Sequence, residues 1–270
     1  MTALRPRMLS RPWGRMRVWE AGTGPPLLAV HGLGGSGRYW ERPAGRLAER
    51  FRVVAPDLAG FGGSDKPRAA SYDLDFHAAN LDAALEGTPD RLVVVGHSIG
   101  GVVAAVWASE RVERVSALAL LATPFPTGDG EHAWMRDGTP PAGSRALMRA
   151  FRLLVPVLSV PVGVARRYPP GVALDYARQG FVARARTSWS SLHDPRVTGR
   201  LERAADALSS VPTLLAHAPD DRTVGIDAQA RWAELLPNAR RVVVPTGGHQ
   251  FVLRDAGEPL VGWLDATLRP

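Results

Sequence analysis

Short apolar runs, each only long enough for a strand, recur between longer stretches of helical periodicity, and few folds satisfy that alternation. Met16 to Glu20, Leu27 to Val30, Arg52 to Ala55, Leu92 to Val95 and Ser116 to Ala122 read as strands. Tyr39 to Phe51, Leu74 to Leu85 and Gly101 to Ser109 read as helices between them. Strands apolar on both faces and alternating with helices predict a parallel sheet covered on both sides. Pro124, Pro126, Gly128, Gly130, Pro140, Pro141 and Gly143 break the pattern, and an Arg-rich, Pro-punctuated helical stretch follows. The alternation resumes with strands at Thr213 to His217 and Arg241 to Val244 and helices at Asp227 to Leu236 and Glu258 to Leu268. The expected architecture is an α/β core at 1–125 and 209–270, interrupted by a mainly helical cap at 126–208.

Composition narrows the function. The chain has 270 residues and 45% apolar residues, enough for a large core, so global disorder is excluded. With no cysteine there is no disulfide, thiolate metal site or cysteine nucleophile. Neither a run of eighteen apolar residues nor a secretory apolar segment near the N-terminus is present, so the expectation is a cytoplasmic protein without membrane insertion. The net charge of +7 is carried almost wholly by arginine, Lys66 being the one lysine. No basic block interleaves with aromatics, so no nucleic-acid partner is expected. Eleven arginines against three acids fall between Thr139 and Arg203, which sets that segment apart from a nearly neutral remainder.

Gly96-His97-Ser98-Ile99-Gly100 lies between a predicted strand and a predicted helix. There the serine occupies a sharp turn whose flanking positions have no room for side chains, with free helix N–H groups behind it. A serine hydroxyl needs a base, and the base needs an orienting group. His249, in a glycine-rich loop after the last strand, is the best placed base; His217, ending a strand, also stays near that sheet edge. Asp220 and Asp221 follow the strand Thr213 to His217, and either can orient the histidine, the other being a solvated turn residue.

These motifs in register resemble the α/β-hydrolase superfamily, in its small capped branch of esterases, carbon–carbon-bond hydrolases and related enzymes. His31-Gly32-Leu33-Gly34-Gly35 is similar to the HG-x-x-G oxyanion loop, and Asp57 to Asp65 to the D-x-x-G-x-G-x-S-D loop after the next strand. The resemblance covers nearly the whole chain except the cap. It implies a Ser98–Asp221–His249 triad, because Asp221 with Val224 three residues on fits the family's acid turn better than Asp220. Ala218 and Gly225 depart from the glycine and proline usual there. It also implies an oxyanion hole from the backbone N–H groups of Leu33 and Ile99, with His31 holding the loop.

One rival reading uses the same residues. Gly32-x-Gly34-x-x-Gly37 with Asp57 twenty residues on is a dinucleotide fingerprint. It leaves Ser98, Asp221 and His249 as coincidence, and the loop at Asp57 already accounts for that residue. No cofactor is therefore expected, and the histidines lack metal-ligand spacing.

A serine nucleophile implies acyl transfer, and argues against haloalkane dehalogenases and epoxide hydrolases, which resemble the same plan with aspartate at the elbow. The expected function is hydrolysis of a carboxylic ester on a small to medium, largely apolar substrate. Carbon–carbon or thioester hydrolysis is the alternative on the same triad, and a slowly turning ligand-binding receptor the alternative of another class. Leu33, Trp134, Phe151 and Phe181 are expected against the substrate, with Met135, Leu147, Leu154 and Trp189 as further cap candidates. Most cap arginines, among them Arg145, Arg149, Arg152, Arg178, Arg184 and Arg186, are expected in solvent, although one turned inward would bind a carboxylate. A monomer or homodimer is expected.

Overall fold

In a computed structural model, residues 3–88, 91–130, 132–139, 170–254 and 257–268 are described. The first strands are β1 (Arg5–Arg11), β2 (Gly14–Ala21) and β3 (Pro26–Val30). Helix α1 (Glu41–Leu47), strand β4 (Arg52–Pro56) and helix α2 (Leu74–Ala84) follow, then β5 (Leu92–His97), α3 (Ile99–Ser109) and β6 (Val115–Leu121). The inserted segment contributes α4 (Ala133–Asp137), α5 (Pro170–Ala177) and α6 (Phe181–Ser188), which runs on into a single π turn, Trp189–His193. Helix α7 (Val197–Ala207), β7 (Thr213–His217), α8 (Asp227–Leu235), β8 (Arg240–Val243), α9 (Phe251–Arg254) and α10 (Glu258–Thr267) complete the chain.

The eight strands form one sheet in the order β1-β2-β4-β3-β5-β6-β7-β8. β1 and β2 pair antiparallel, as do β2 and β4; every other pair is parallel. Within each central strand, alternate side chains join opposite cores. Leu28, Val30, Val94 and Leu118 pack with α2, α3 and α7, while Leu27, Ala29, Val93 and Ala117 pack with α1 and the C-terminal helices. The strand runs are apolar throughout because both faces are buried. The two sheet edges instead carry charge, with Arg5, Arg7 and Arg11 on β1 and Arg240 and Arg241 on β8, which discourages pairing with another chain.

Val197, Leu201 and Ala205 of α7 belong to the same core cluster as Val102, Val103 and Trp107 of α3. The chain thus rejoins the sheet's helical cover inside the span 126–208 expected for the cap. Helix α5 is tied to the sheet by charge. Arg17 on β2 reaches Asp57 through Nε (2.6 Å) and Asp175 on α5 through Nη2 (2.8 Å). The guanidinium also lies 4.7 Å from the centroid of the Trp19 ring.

β3 has β4 on one side and β5 on the other. The chain leaves β3 toward β4 and leaves β5 toward β6, in opposite directions, which opens a crevice beyond the carboxyl ends of β3 and β5. The loops after those two strands, at His31 and at Ser98, meet there.

Candidate active site

Ser98 follows β5 directly and caps α3 with φ 55° and ψ −131°, a conformation that non-glycine residues adopt only under surrounding constraint. The constraint comes from the neighbours. A Cβ on Gly96 would lie 2.5 Å from the Gly101 Cα, and one on Gly100 would lie 2.3 Å from the His31 carbonyl oxygen. Only glycine fits either side of the serine, and the turn holds its hydroxyl out at the sheet edge. The Ser98 N–H donates to the Leu121 carbonyl (2.9 Å), which fixes the elbow to β6.

His249 Nε2 lies 2.9 Å from Ser98 Oγ, and its Nδ1 lies 2.8 Å from Asp221 Oδ2. Since a carboxylate only accepts, Nδ1 carries the proton, and Nε2 offers a lone pair to the serine hydroxyl. Asp221 is buried, and its Oδ1 accepts from the N–H groups of Thr223 (2.8 Å) and Val224 (3.0 Å). His217 is placed behind this acid. Its Nε2 donates to the Val224 carbonyl (2.9 Å) and stands 3.3 Å from Asp221 Oδ2. The structure therefore brings Ser98, His249 and Asp221 into one chain of hydrogen bonds, while His217 supports the acid turn.

Two further residues hold the histidine loop, and sequence reasoning gave neither of them that task. Asp220 is exposed but accepts from the N–H groups of Gly247 (3.1 Å) and Gly248 (2.8 Å), the two residues before His249. It is thus more than the solvated turn residue expected. His97 Nε2 donates to the His249 carbonyl (2.7 Å), and its ring stacks on Tyr39 at 4.6 Å. Burial, with His249 beside it, holds the His97 pKa well below the ordinary histidine value, so it acts as a neutral donor. We expect Asp220→Ala to lower kcat for an ester substrate roughly tenfold, because the loop loses two charge-assisted bonds that fix the imidazole. Asp220→Asn, retaining one acceptor oxygen, should recover part of the loss. Steady-state kinetics check this, and a wild-type kcat in Asp220→Ala would refute it.

The loop at 31–35 is oriented from within. Leu58 N–H donates to His31 Nε2 (3.0 Å), so the His31 proton resides on Nδ1 and is donated to the Gly32 carbonyl (2.7 Å). Gly35 N–H binds the same oxygen (3.0 Å). Because the peptide is trans and planar, the Leu33 N–H must point away from those two donors. Among the described residues neither the Leu33 N–H nor the Ile99 N–H, the first of α3, has an acceptor. Leu33, Ile99, Ser98 and His249 line one cavity of about 640 Å³.

The side of that cavity supplied by the inserted segment comes from Val172, Ala173 and Tyr176 of α5, Arg184 of α6 and Leu192. Leu33 also lines it. Trp134 and Phe181 do not; their rings stack on each other at 6.4 Å between α4 and α6, so their apolar area is used within the cap. Phe151, Leu147 and Leu154, and the arginines Arg145, Arg149 and Arg152, lie outside the described residues.

Asp57, the acid of the dinucleotide fingerprint, has no carboxylate edge left for a ribose. Its oxygens accept from Trp19 Nε1 (3.0 Å), Arg17 Nε (2.6 Å) and the N–H groups of Gly37 (2.7 Å) and Gly63 (2.7 Å). The Gly37 N–H opens the helical turn that would cradle a pyrophosphate, and Asp57 already occupies it. Among the described residues no group of three or more histidines and carboxylates could hold a metal ion. Nor is any helix among them long and apolar enough to cross a membrane.

Comparison with known proteins bears on the family. An uncharacterized protein of Mycobacterium tuberculosis is 36% identical over 142 residues, which are 52% of this chain and 41% of that protein; the chain thus spans less than half the length of that relative. Haloalkane dehalogenase 2 of the same species is 30% identical over 255 residues, covering 90% of this chain and 87% of the relative. The solved thioesterase domain from the curacin biosynthetic pathway superposes with a TM-score of 0.76 at 21% identity, covering 97% of this chain and 99% of that one. The alpha/beta hydrolase fold family matches residues 25–256, from β3 and the oxyanion loop through Ser98 and Asp221 to beyond His249, and the chain belongs to that family.

Proposed function

We propose that this protein is a serine hydrolase that cleaves a carboxylic ester through an acyl-enzyme. One observation carries the reading: an unbroken Asp221–His249–Ser98 hydrogen-bond chain that opens on a cavity with two unengaged N–H groups. Ser98 Oγ attacks the ester carbonyl as its proton passes to His249 Nε2. The carbonyl oxygen becomes an oxyanion held by the N–H groups of Leu33 and Ile99, and Asp221 stabilises the imidazolium. Collapse breaks the bond to the alkoxy group, which leaves with the proton from His249. Water then gives a proton to His249 and attacks the acyl carbon, and the second collapse returns that proton to Ser98.

The 30% identity to a protein named as a haloalkane dehalogenase does not transfer that activity. Displacement of halide by a carboxylate gives an ester that water can hydrolyse. Displacement by Ser98 would give an ether, which this machinery cannot open. A serine at the elbow therefore favours a carbonyl substrate. The hydrolase reading is tested with p-nitrophenyl acetate, butyrate, octanoate and decanoate, alongside mass spectrometry after treatment with an alkyl fluorophosphonate. We expect steady multiple turnover on at least one ester, and one adduct per chain, mapped to Ser98. Labelling elsewhere, or a single slow turnover with retained product, would overturn it, the latter pointing to a ligand-binding receptor.

A further inference from the structure

Arg184 differs from its neighbours in the cap. Arg196 pairs with Asp194, Arg200 with Asp75 and Glu110, and Arg186 donates to the carbonyls of Ala70 and Asp137. Arg184 has no carboxylate partner among the described residues. Its Nη1 donates to the Tyr176 hydroxyl (3.2 Å) and to Gln179 Oε1 (3.0 Å), both neutral. No acid stands in the sequence between Asp137 and Asp175, and Asp175 is buried against Arg17. Among the described residues Arg184 is the one lysine or arginine lining the cavity that holds Ser98 and His249.

Its position is built. A Cβ on Gly34 would lie 2.7 Å from the Tyr176 ring and 3.0 Å from Gln179 Oε1, so both partners rest on the oxyanion loop itself. The guanidinium lies 5.7 Å from the centroid of the Tyr176 ring. With Nη1 engaged, the edge formed by Nε–H and Nη2–H has no acceptor among the described residues, and two parallel N–H groups match the two oxygens of a planar carboxylate. The other charged lining residue, Asp227, is carried by α8 and makes no ion pair with Arg184. A ligand with one anionic end is thereby given a direction, its carboxylate toward Arg184 and away from Asp227.

We propose that Arg184 is the specificity-determining residue of this site and that the substrate carries a carboxylate besides the bond that is cleaved. This deepens the serine-hydrolase reading and rests on it. The carboxylate belongs to either the acyl part or the leaving group, and two pairs of esters separate these sources. p-Nitrophenyl hemiglutarate is compared with p-nitrophenyl valerate, and 4-acetoxybenzoate with its methyl ester. In one pair the wild type should prefer the charged member. That preference, the ratio of kcat/KM values, should fall roughly 10- to 100-fold in Arg184→Gln, mainly through KM, and recover in part in Arg184→Lys. A ratio unchanged by Arg184→Gln in both pairs overturns the proposal while leaving Ser98-dependent hydrolysis of the neutral esters intact. Calorimetric titration of glutarate and benzoate into Ser98→Ala gives a readout free of turnover. Binding that is lost in Ser98→Ala/Arg184→Gln sustains the anion site even if no ester is hydrolysed, and no binding together with no preference overturns it.

Discussion

Ser98→Ala is expected to lower kcat about 10⁶-fold on whichever ester the protein hydrolyses, with the fold and Tm nearly unchanged. The size follows from what is lost. Alanine keeps the Cβ and the strained backbone of the elbow but removes the atom that forms the acyl bond, so no orientation of His249 can compensate. What remains is the oxyanion hole and binding, which sustain roughly 10³- to 10⁴-fold over uncatalysed hydrolysis in serine enzymes. His249→Ala should cost a similar factor, and the double variant little more than either single one, because the two residues act as a unit. Single-turnover rates with each variant check this. Residual activity within tenfold of the wild type in Ser98→Ala would assign the chemistry to another nucleophile.

What could be read from the sequence was local. The elbow shows itself because glycines two residues before and after a serine answer to contacts within the same turn and the adjoining loop, as at Gly96. The central strands show themselves because burial on both faces leaves only apolar residues, as in Val93, Val94 and Val95. β1 escaped notice because an edge strand needs no apolar face, and Arg5–Arg11 mixes arginine and proline with single apolar residues. Asp221 could be chosen over Asp220 only by family register, since both lie within reach of the histidine loop and their tasks differ only in which donors they meet. The tie from Arg17 to Asp175 spans 158 residues and leaves no trace in local spacing. The cap was the least legible part. Helical periodicity marks an apolar face but not what it faces, so the bulky Trp134 and Phe181 were expected at the substrate, where smaller Val172 and Ala173 stand instead. One outward signal was available: eleven arginines in a segment with three acids cannot all be paired within it, and among the described residues Arg184 is the one that faces the cavity.

Stability should fall steeply with acid in a window that the paired carboxylates do not explain. His31, His77 and His97 are all buried, and desolvation lowers each pKa from the ordinary 6.5, that of His77 to about 3. His77 bridges α2 and α6 through Thr187 Oγ1 (2.8 Å), so its burial depends on the cap remaining seated. Between the unfolded value of 6.5 and these lowered values the unfolded chain binds protons that the folded chain does not. The contribution is therefore fully present above pH 6.5 and is lost progressively as pH falls below it, for His77 down to about 3. His77 contributes about 1.4 kcal/mol per pH unit between 6.5 and about 3, and His31 and His97 act in the same direction below 6.5. A typical stability of roughly 5–15 kcal/mol is thereby eroded before most carboxylates protonate. Urea unfolding at pH 7.5, 6.5, 5.5 and 5.0 measures the slope directly. His77→Gln, which retains a hydrogen-bonding amide beside Thr187 but does not titrate, should reduce that slope by about 1.4 kcal/mol per pH unit. It lies outside the triad, so the loss of slope should appear without a matching loss of Ser98-dependent turnover at pH 7.5. A stability that stays level from pH 7.5 to 5.0 would mean that these imidazoles gain protons in the folded protein, and with them the His97 donor and the His31 tautomer that orient the site would change.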